Sequence, residues 1–224
     1  MPTPRSSERA EEPDEISGLL AMLDSSTELL EPNHPQTLAA ANNLAVAFWC
    51  AGEIDRAICL LDQALERMGT PGFEHPIRTV LLATLGEIMF DQNHLEQACV
   101  IHREVLDCYV QQAGANHPSS LAAKGDLAIV LFKLGHDEEA ASLEREAFES
   151  ARTHLGKNHP VTSVLAWHRA LSYERCGDPI SSRNVVVDDL VWLLAKDPAC
   201  LGADQKAIRA LLAERLHWDS ARMC

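Results

Sequence analysis

The dipeptide His-Pro occurs at His34-Pro35, His75-Pro76, His117-Pro118 and His159-Pro160, at spacings of 41, 42 and 42 residues. A word that returns at a fixed period constrains a chain more than its composition does, because each period is then one structural unit that buries its apolar face only by stacking on its neighbours. Small residues keep the same register. Ala45, Gly86, Ala128 and Ala170 lie eleven positions after the four histidines, Gly52, Asn93, Gly135 and Gly177 eighteen after, and Ala57, Ala98, Ala140 and Ser182 twenty-three after.

Each unit reads as two helices. Proline at a first helical position has its φ already set and lacks an N–H that would go unpaired there, so His-Pro starts a helix A. Eighteen residues on, Gly or Asn tolerates the left-handed conformation that stops it. In the first unit helix A is predicted over residues 35–51. Residues 54–68 follow with Ala57, Ile58, Leu61, Ala64 and Leu65 at helical spacing, an amphipathic helix B. The recurring Ala and Gly mark where A and B approach closely.

The words NHPQTLAAANNLAVAFWCAGEIDRAICLLDQALE (33–66), HPIRTVLLATLGEIMFDQNHLEQACVIHREVLD (75–107), NHPSSLAAKGDLAIVLFKLGHDEEAASLEREAFE (116–149) and NHPVTSVLAWHRALSYERCGDPISSRNVVVDDL (158–190) carry a family resemblance. The chain resembles the tetratricopeptide repeat, and more narrowly the 42-residue variety of kinesin light chains and their bacterial relatives, over roughly residues 33–195. The resemblance implies an all-α, right-handed tetratricopeptide-repeat solenoid of four helix pairs, at 32–73, 74–115, 116–157 and 158–197, with a capping half repeat at each end. The N-terminal cap falls at 14–31, where Ile16, Leu19, Leu20, Leu23 and Thr27 form one stripe. The C-terminal cap falls at 198–224, where Ile208, Leu211, Leu212 and Leu216 do the same. The fourth unit departs from the pattern. Arg169 stands where the others have Leu44, Leu85 and Leu127, Ser182 replaces the helix B alanine, and Pro179 with Val185-Val186-Val187 lowers helix propensity, so its helix B is expected to start late or pack differently. Residues 1–13, polar with three prolines, have little to bury and are expected to be disordered.

Composition narrows the function classes. The chain is 46% hydrophobic, yet no apolar run approaches the ~20 residues of a membrane helix, and its first residues lack a signal-peptide core. Net charge is −14 and no Lys/Arg cluster interrupts it, so neither a membrane nor nucleic acid is an expected partner. Seven cysteines without a CxxC pair suggest a reducing, cytoplasmic setting. Most of them interrupt apolar helical patterns as small hydrophobes, with Cys50 and Cys176 the candidates for a reactive thiol.

In the family the A helices line the concave face, where ligands lie. Counting five, eight, nine, twelve and fifteen residues from each histidine places Ala39, Asn42, Asn43, Val46 and Trp49 there, then Val80, Ala83, Thr84, Glu87 and Phe90. The third and fourth units give Ala122, Gly125, Asp126, Ile129 and Phe132, then Val164, Trp167, His168, Leu171 and Glu174. The resemblance implies for Asn43 a pair of hydrogen bonds to the backbone of an extended peptide, since an amide donates and accepts. A solvated residue of a common repeat word is the plain alternative. Thr84, Asp126 and His168 replace it in the other units. No Lys or Arg occupies the counted positions, with Lys124, Lys133 and Arg169 one place off, so a free C-terminal carboxylate is a poor candidate ligand. Trp49, Phe90 and Trp167 offer apolar anchors, or else pack successive A helices together.

Histidines at a 41–42-residue period sit on helices ~8–10 Å apart and cannot share a metal, whose ligands converge to ~2 Å, and no HExxH word exists. No metal and no cofactor is expected. Glu87, Asp126 and His168 form an acid–base set on paper, with no nucleotide or nucleophile motif beside it. Two readings result. The first is an adaptor whose groove binds a peptide or helix of a partner protein. The second is a small-molecule or acid–base catalytic groove using Glu87, Asp126 and His168. Self-association through a capping helix, notably 203–218 with Trp218, is a third possibility.

Overall fold

The structure, a computed structural model, describes residues 12–68 and 76–222, with side chains for 16–68 and 76–215. The helices are α1 Glu12–Leu30, α2 Pro35–Cys50, α3 Ile54–Arg67, α4 Pro76–Asp91, α5 Leu95–Ala113, α6 Pro118–Leu134, α7 Asp137–His154, α8 Pro160–Arg175, α9 Pro179–Val185, α10 Trp192–Ala195 and α11 Ala203–Arg222. A π-helical turn, Val186–Leu190, and a 3-10 turn, Pro198–Cys200, complete the order. No strand occurs among the described residues. Residues 1–11, the bulk of the predicted tail, lie outside the described residues, and α1 takes the place of the N-terminal cap.

The His-Pro word has a local cause beyond its proline. His34, His117 and His159 are extended N-caps whose Nδ1 accepts the backbone N–H of Gln36, Ser119 and Val161, each at 3.2 Å, so one otherwise unpaired donor of each helix start is satisfied. His75 lies outside the described residues. An N-cap removed from a helix costs about 0.5–2 kcal/mol, so His117→Ala is expected to lower stability by about 1 kcal/mol and His117→Asn to retain most of it. Urea unfolding of both variants checks this, and equal losses would show that the ring acts by packing alone.

The stop signals are local too. Gly52, Asn93, Gly135 and Gly177 take φ of 81°, 60°, 82° and 74°, left-handed values at the eighteenth position of every unit. Helix B then begins twenty residues after each histidine, at Ile54, Leu95, Asp137 and Pro179.

The chain divides into two compact units, Met1–Gln112 and Ala113–Cys224. In the first, α1 packs on α2, α2 on α3, and both α2 and α3 on α4. Leu38, Leu44, Phe48, Leu61, Leu81 and Ile88 form the core, and Ile16, Leu19 and Leu23 of α1 cover its end. Leu20, assigned to that stripe from the sequence, is exposed, because the covering face of α1 is only as wide as α2 requires. Thr27 donates to the Leu23 carbonyl within α1. Between α4 and α5, Gly86 leaves room for His102. A Cβ on Gly86 would lie 3.1 Å from His102 Nε2, and the ring hydrogen-bonds the Gly86 backbone. His102 sits 27 residues after its histidine, the place held by the fully buried Leu61 in the first unit.

In the second unit α6 packs on α7, and α8 on α6, α7, α9 and α11. Helix B of the fourth repeat starts on the common offset, not late, because Pro179 suits a first turn and Asp178 caps it through Ser181 N at 3.0 Å. It does pack differently. The β-branched Val185-Val186-Val187 run meets the π-helical turn, and helix resumes only at Trp192. Arg169 is accommodated by polar partners where the other units have leucine. Its guanidinium donates to Tyr173 OH at 2.8 Å and lies over that ring, near the buried Glu144 carboxyl. Ser172 donates to Glu144 at 2.6 Å and accepts from Arg175 at 3.0 Å. Burial pushes the Glu144 carboxyl up, while Ser172, Arg169 and Arg175 pull it down.

The C-terminal cap buries Gln205, Ile208 and Leu212. Leu211 is exposed, correcting the sequence stripe, because the face of α11 that meets α8 runs along 205, 208 and 212. Leu216 lies outside the described side chains. The cysteines also differ from expectation. Among the described residues only Cys108 is buried, whereas Cys50, Cys59, Cys176 and Cys200 are exposed, since they fall at helix ends, in turns or on the solvent face of a helix.

Candidate functional site

Adjacent A helices are neighbours within each unit: α2 with α4 in the first, and α6 with α8 and α8 with α11 in the second. Helical geometry gives each A helix two faces. Leu38, Leu44 and Ala45 of α2 point to the core, as do their counterparts Leu121, Leu127 and Ala128 of α6. On the other face none of the twelve candidates is fully buried. Asn43 is exposed, and Asn42, Val46, Trp49, Thr84, Glu87, Phe90, Asp126, Ile129, Trp167, His168 and Leu171 are half-buried. The first unit carries Asn42, Asn43, Val46, Trp49, Thr84, Glu87 and Phe90. The second carries Asp126, Ile129, Trp167, His168 and Leu171.

The aromatic candidates divide their surface. Trp49 and Trp167 each pack one side against the core of their own unit and leave part of the ring open. Phe132 lies under the Arg175 guanidinium, 4.6 Å from its ring centre. Two of the basic residues one place off the counted positions are engaged by helix B or by their own helix. Lys124 pairs with Glu146 of α7, and Arg169 with Tyr173.

Two polar atoms at candidate positions are buried without a hydrogen-bond partner, Asn42 Oδ1 in the first unit and His168 Nδ1 in the second. Sequence reasoning favoured Asn43, yet the orphaned acceptor belongs to its neighbour Asn42. Nothing in the word NNLA distinguishes the two amides, because which one is covered depends on the packing of α2. Burial pushes Asp126 up, with the Asp204 carboxylate adding to the rise, and burial lowers His168, with the Arg175 charge adding to the fall. The imidazole is therefore neutral at neutral pH. No hydrogen bond joins Asp126 to His168 among the described residues, so the carboxylate does not orient the ring. Asp204, which the sequence did not single out, enters through α11. Glu87 belongs to the other unit.

Among the described residues no three or more His, Cys, Asp or Glu side chains are grouped to hold a metal ion, and no helix is long and apolar enough to cross a membrane. The Trp218 side chain of the predicted self-association surface lies outside the described residues.

The tetratricopeptide repeat family model matches residues 19–69 and 77–153. Among curated proteins none matches the sequence significantly. Solved structures share the fold. The nearly identical TPR-like repeats of a Podosopora anserina chain described as a kinesin light chain superpose with TM-score 0.66 at 21% identity, covering 90% of this chain and 89% of that one. A single-substitution variant of those repeats gives 0.67 at 22%, over 79% and 84%. BtubC (BKLC) of P. vanneervenii gives 0.75 at 14% identity, over 95% of this chain and 92% of that one. The four His-Pro units, their left-handed turns and the family match over more than half the residues agree: the chain is an all-α repeat solenoid of the tetratricopeptide repeat family, a protein-interaction scaffold.

Proposed function

We propose that the A-helix face is a groove that binds a peptide segment or a helix of a partner protein, making this chain an adaptor. The observation that carries the proposal is the pair of unpartnered polar atoms, Asn42 Oδ1 and His168 Nδ1, at the counted positions. A buried polar atom left unpaired costs about 1–3 kcal/mol, which a bound polypeptide that opens this face recovers by donating an N–H to the Asn42 oxygen and by pairing with the His168 nitrogen in whichever role its tautomer leaves it. Partly open Trp49 and Trp167 supply apolar anchors beside them. The −14 charge favours a partner segment that is basic or neutral.

A photo-crosslinking amino acid placed at Asn43 of the first unit, or in a separate variant at Leu171 of the second, is expected to trap a partner protein in native lysate. The same group at Val100 or Ile180, exposed on helices α5 and α9, traps it far less. Trp49→Ala with Trp167→Ala lowers the yield about tenfold or more, as loss of hot-spot anchors does. Crosslinks from the helix B positions alone would sink the groove.

A second reading has its own observation. Asp126 and His168 stand at equivalent positions of the neighbouring helices α6 and α8, and burial shifts both towards their neutral forms, as it does ionisable groups in a small-molecule site. It predicts ligand-dependent stabilisation without any protein partner, lost in Asp126→Asn and His168→Asn.

A further inference from the structure

Where helix B of the fourth repeat breaks, the second unit opens a cleft of about 490 Å³ between Lys157, Trp192, Lys196, Cys200, Leu201 and Gln205. We propose that this cleft binds a carboxylate-bearing ligand with a flat apolar body, at a site distinct from the A-helix face.

The volume lies in the range of small-ligand sites. Each wall has a definite chemistry. Trp192 is half-buried, and its indole N–H is given to the Asp189 carbonyl at 2.8 Å, so what remains for a ligand is ring surface. Leu201 is buried and adds to the apolar side. Gln205, also buried, is fully engaged. Its amide donates to the Asn158 carbonyl and to Ser163 Oγ, each at 3.1 Å, and its oxygen accepts from Gly202 N at 3.3 Å. The Gln205 amide therefore has no donor to spare, the exposed Asn158 amide adds a neutral polar group to the lining, and charge recognition falls to the two ammonium groups.

Those groups stand out against the rest of the molecule. The whole chain has five lysines and a net charge of −14, yet two of the five, both exposed, line this one cleft. An anion here meets local positive charge in a field that elsewhere repels it. A single negative charge suits the cleft better than a doubly charged phosphate, because Lys157 already faces the Asp189 carboxylate, which Arg152 also approaches at 3.3 Å. Indole surface and ammonium together select an aromatic carboxylate. The carboxylate can belong to a free acid or to the C-terminal residue of a peptide, and the test separates the two.

Cys200 lines the cleft with an exposed, unpaired thiol and so reports on its occupancy. The full-length protein is alkylated with iodoacetamide, and the rate at each cysteine is read by peptide mass spectrometry. Exposed Cys59 and Cys176 serve as internal references. Millimolar 2-naphthoate is expected to slow Cys200 by about fivefold, as several multiples of Kd would, and to leave the references unchanged. The neutral 2-naphthamide has little effect. Lys157→Gln with Lys196→Gln removes the protection, and circular dichroism shows the fold retained. A tripeptide ending in tryptophan forms the second arm. Protection by it at lower concentration than by naphthoate assigns the carboxylate to a polypeptide end, and weaker protection assigns it to a free acid. No protection by naphthoate, equal protection by the amide, or protection undiminished in the double variant overturns the proposal.

Discussion

Lowering the pH from 7 to 4 is expected to weaken the α4–α5 pair by about 3 kcal/mol through His102 alone. Burial lowers this imidazole from 6.5 to about 4, against a smaller opposing effect of its hydrogen bond to Gly86. Between those two values the unfolded chain binds a proton that the folded chain does not, so protonation favours unfolding. The contribution is complete above about 6.5 and is lost as pH falls towards 4. Asp126, Glu144 and Asp189 are all raised by burial and act in the opposite sense, so total stability at one pH is a poor readout. The informative quantity is a difference of slopes. Amide hydrogen exchange of α4 and α5 peptides at successive pH values, corrected for intrinsic rates, is compared between the wild type and His102→Leu. The leucine mimics Leu61 of the first unit and cannot titrate. A flat profile in the variant against a falling one in the wild type is expected, and identical slopes would remove His102 as the cause.

Leu165→Ala is expected to cost about 2–5 kcal/mol, and the loss should be partly repaired by Gly125→Ala. Leu165 is 1% exposed on α8, and a Cβ on Gly125 of α6 would lie 2.6 Å from its Cδ2. Glycine is thus required at 125 by the leucine opposite. Alone, Gly125→Ala gains about 1 kcal/mol of helix propensity and loses about 1–3 kcal/mol to overpacking, a net loss. In the double variant the new methyl enters space that Leu165 has vacated. The two changes together should therefore cost at least about 1 kcal/mol less than their sum, read by urea unfolding as a double-mutant cycle. Strict additivity would show that α6 and α8 adjust around the extra methyl. The result bears on function, since α6 and α8 carry Asp126, Trp167 and His168.

The groove and the cleft make different demands on the same fold. Groove candidates sit on A helices, at positions that every repeat presents. The cleft depends on the end of the fourth repeat and the segment after it, namely the short α10, the 3-10 turn and the start of α11. Variants at Lys157 and Lys196, both exposed, therefore leave the A-helix face untouched, whereas Trp167 shares a core cluster with Trp192 and Leu201 of the cleft, so Trp49 is the cleaner groove variant.

The chain's own letters determined everything set by short-range geometry. A proline at each helix start, a glycine or asparagine at each left-handed turn and small residues at each close approach act within a few residues of themselves, so period, helix order and caps were legible at once. The A-helix faces were legible for the same reason, because burial follows the 100° step from one residue to the next. Only the tertiary structure decided what each side chain meets. His102 and Glu144 share a core position with Leu61, and only Gly86 on one side, and Ser172 with Arg169 and Arg175 on the other, make those substitutions tolerable. Leu211 and Leu212 are equally apolar neighbours, yet only Leu212 points at α8. Asn42 and Asn43 differ only in what α2 packs against. In each case the deciding partner is far along the sequence, where no local rule reaches.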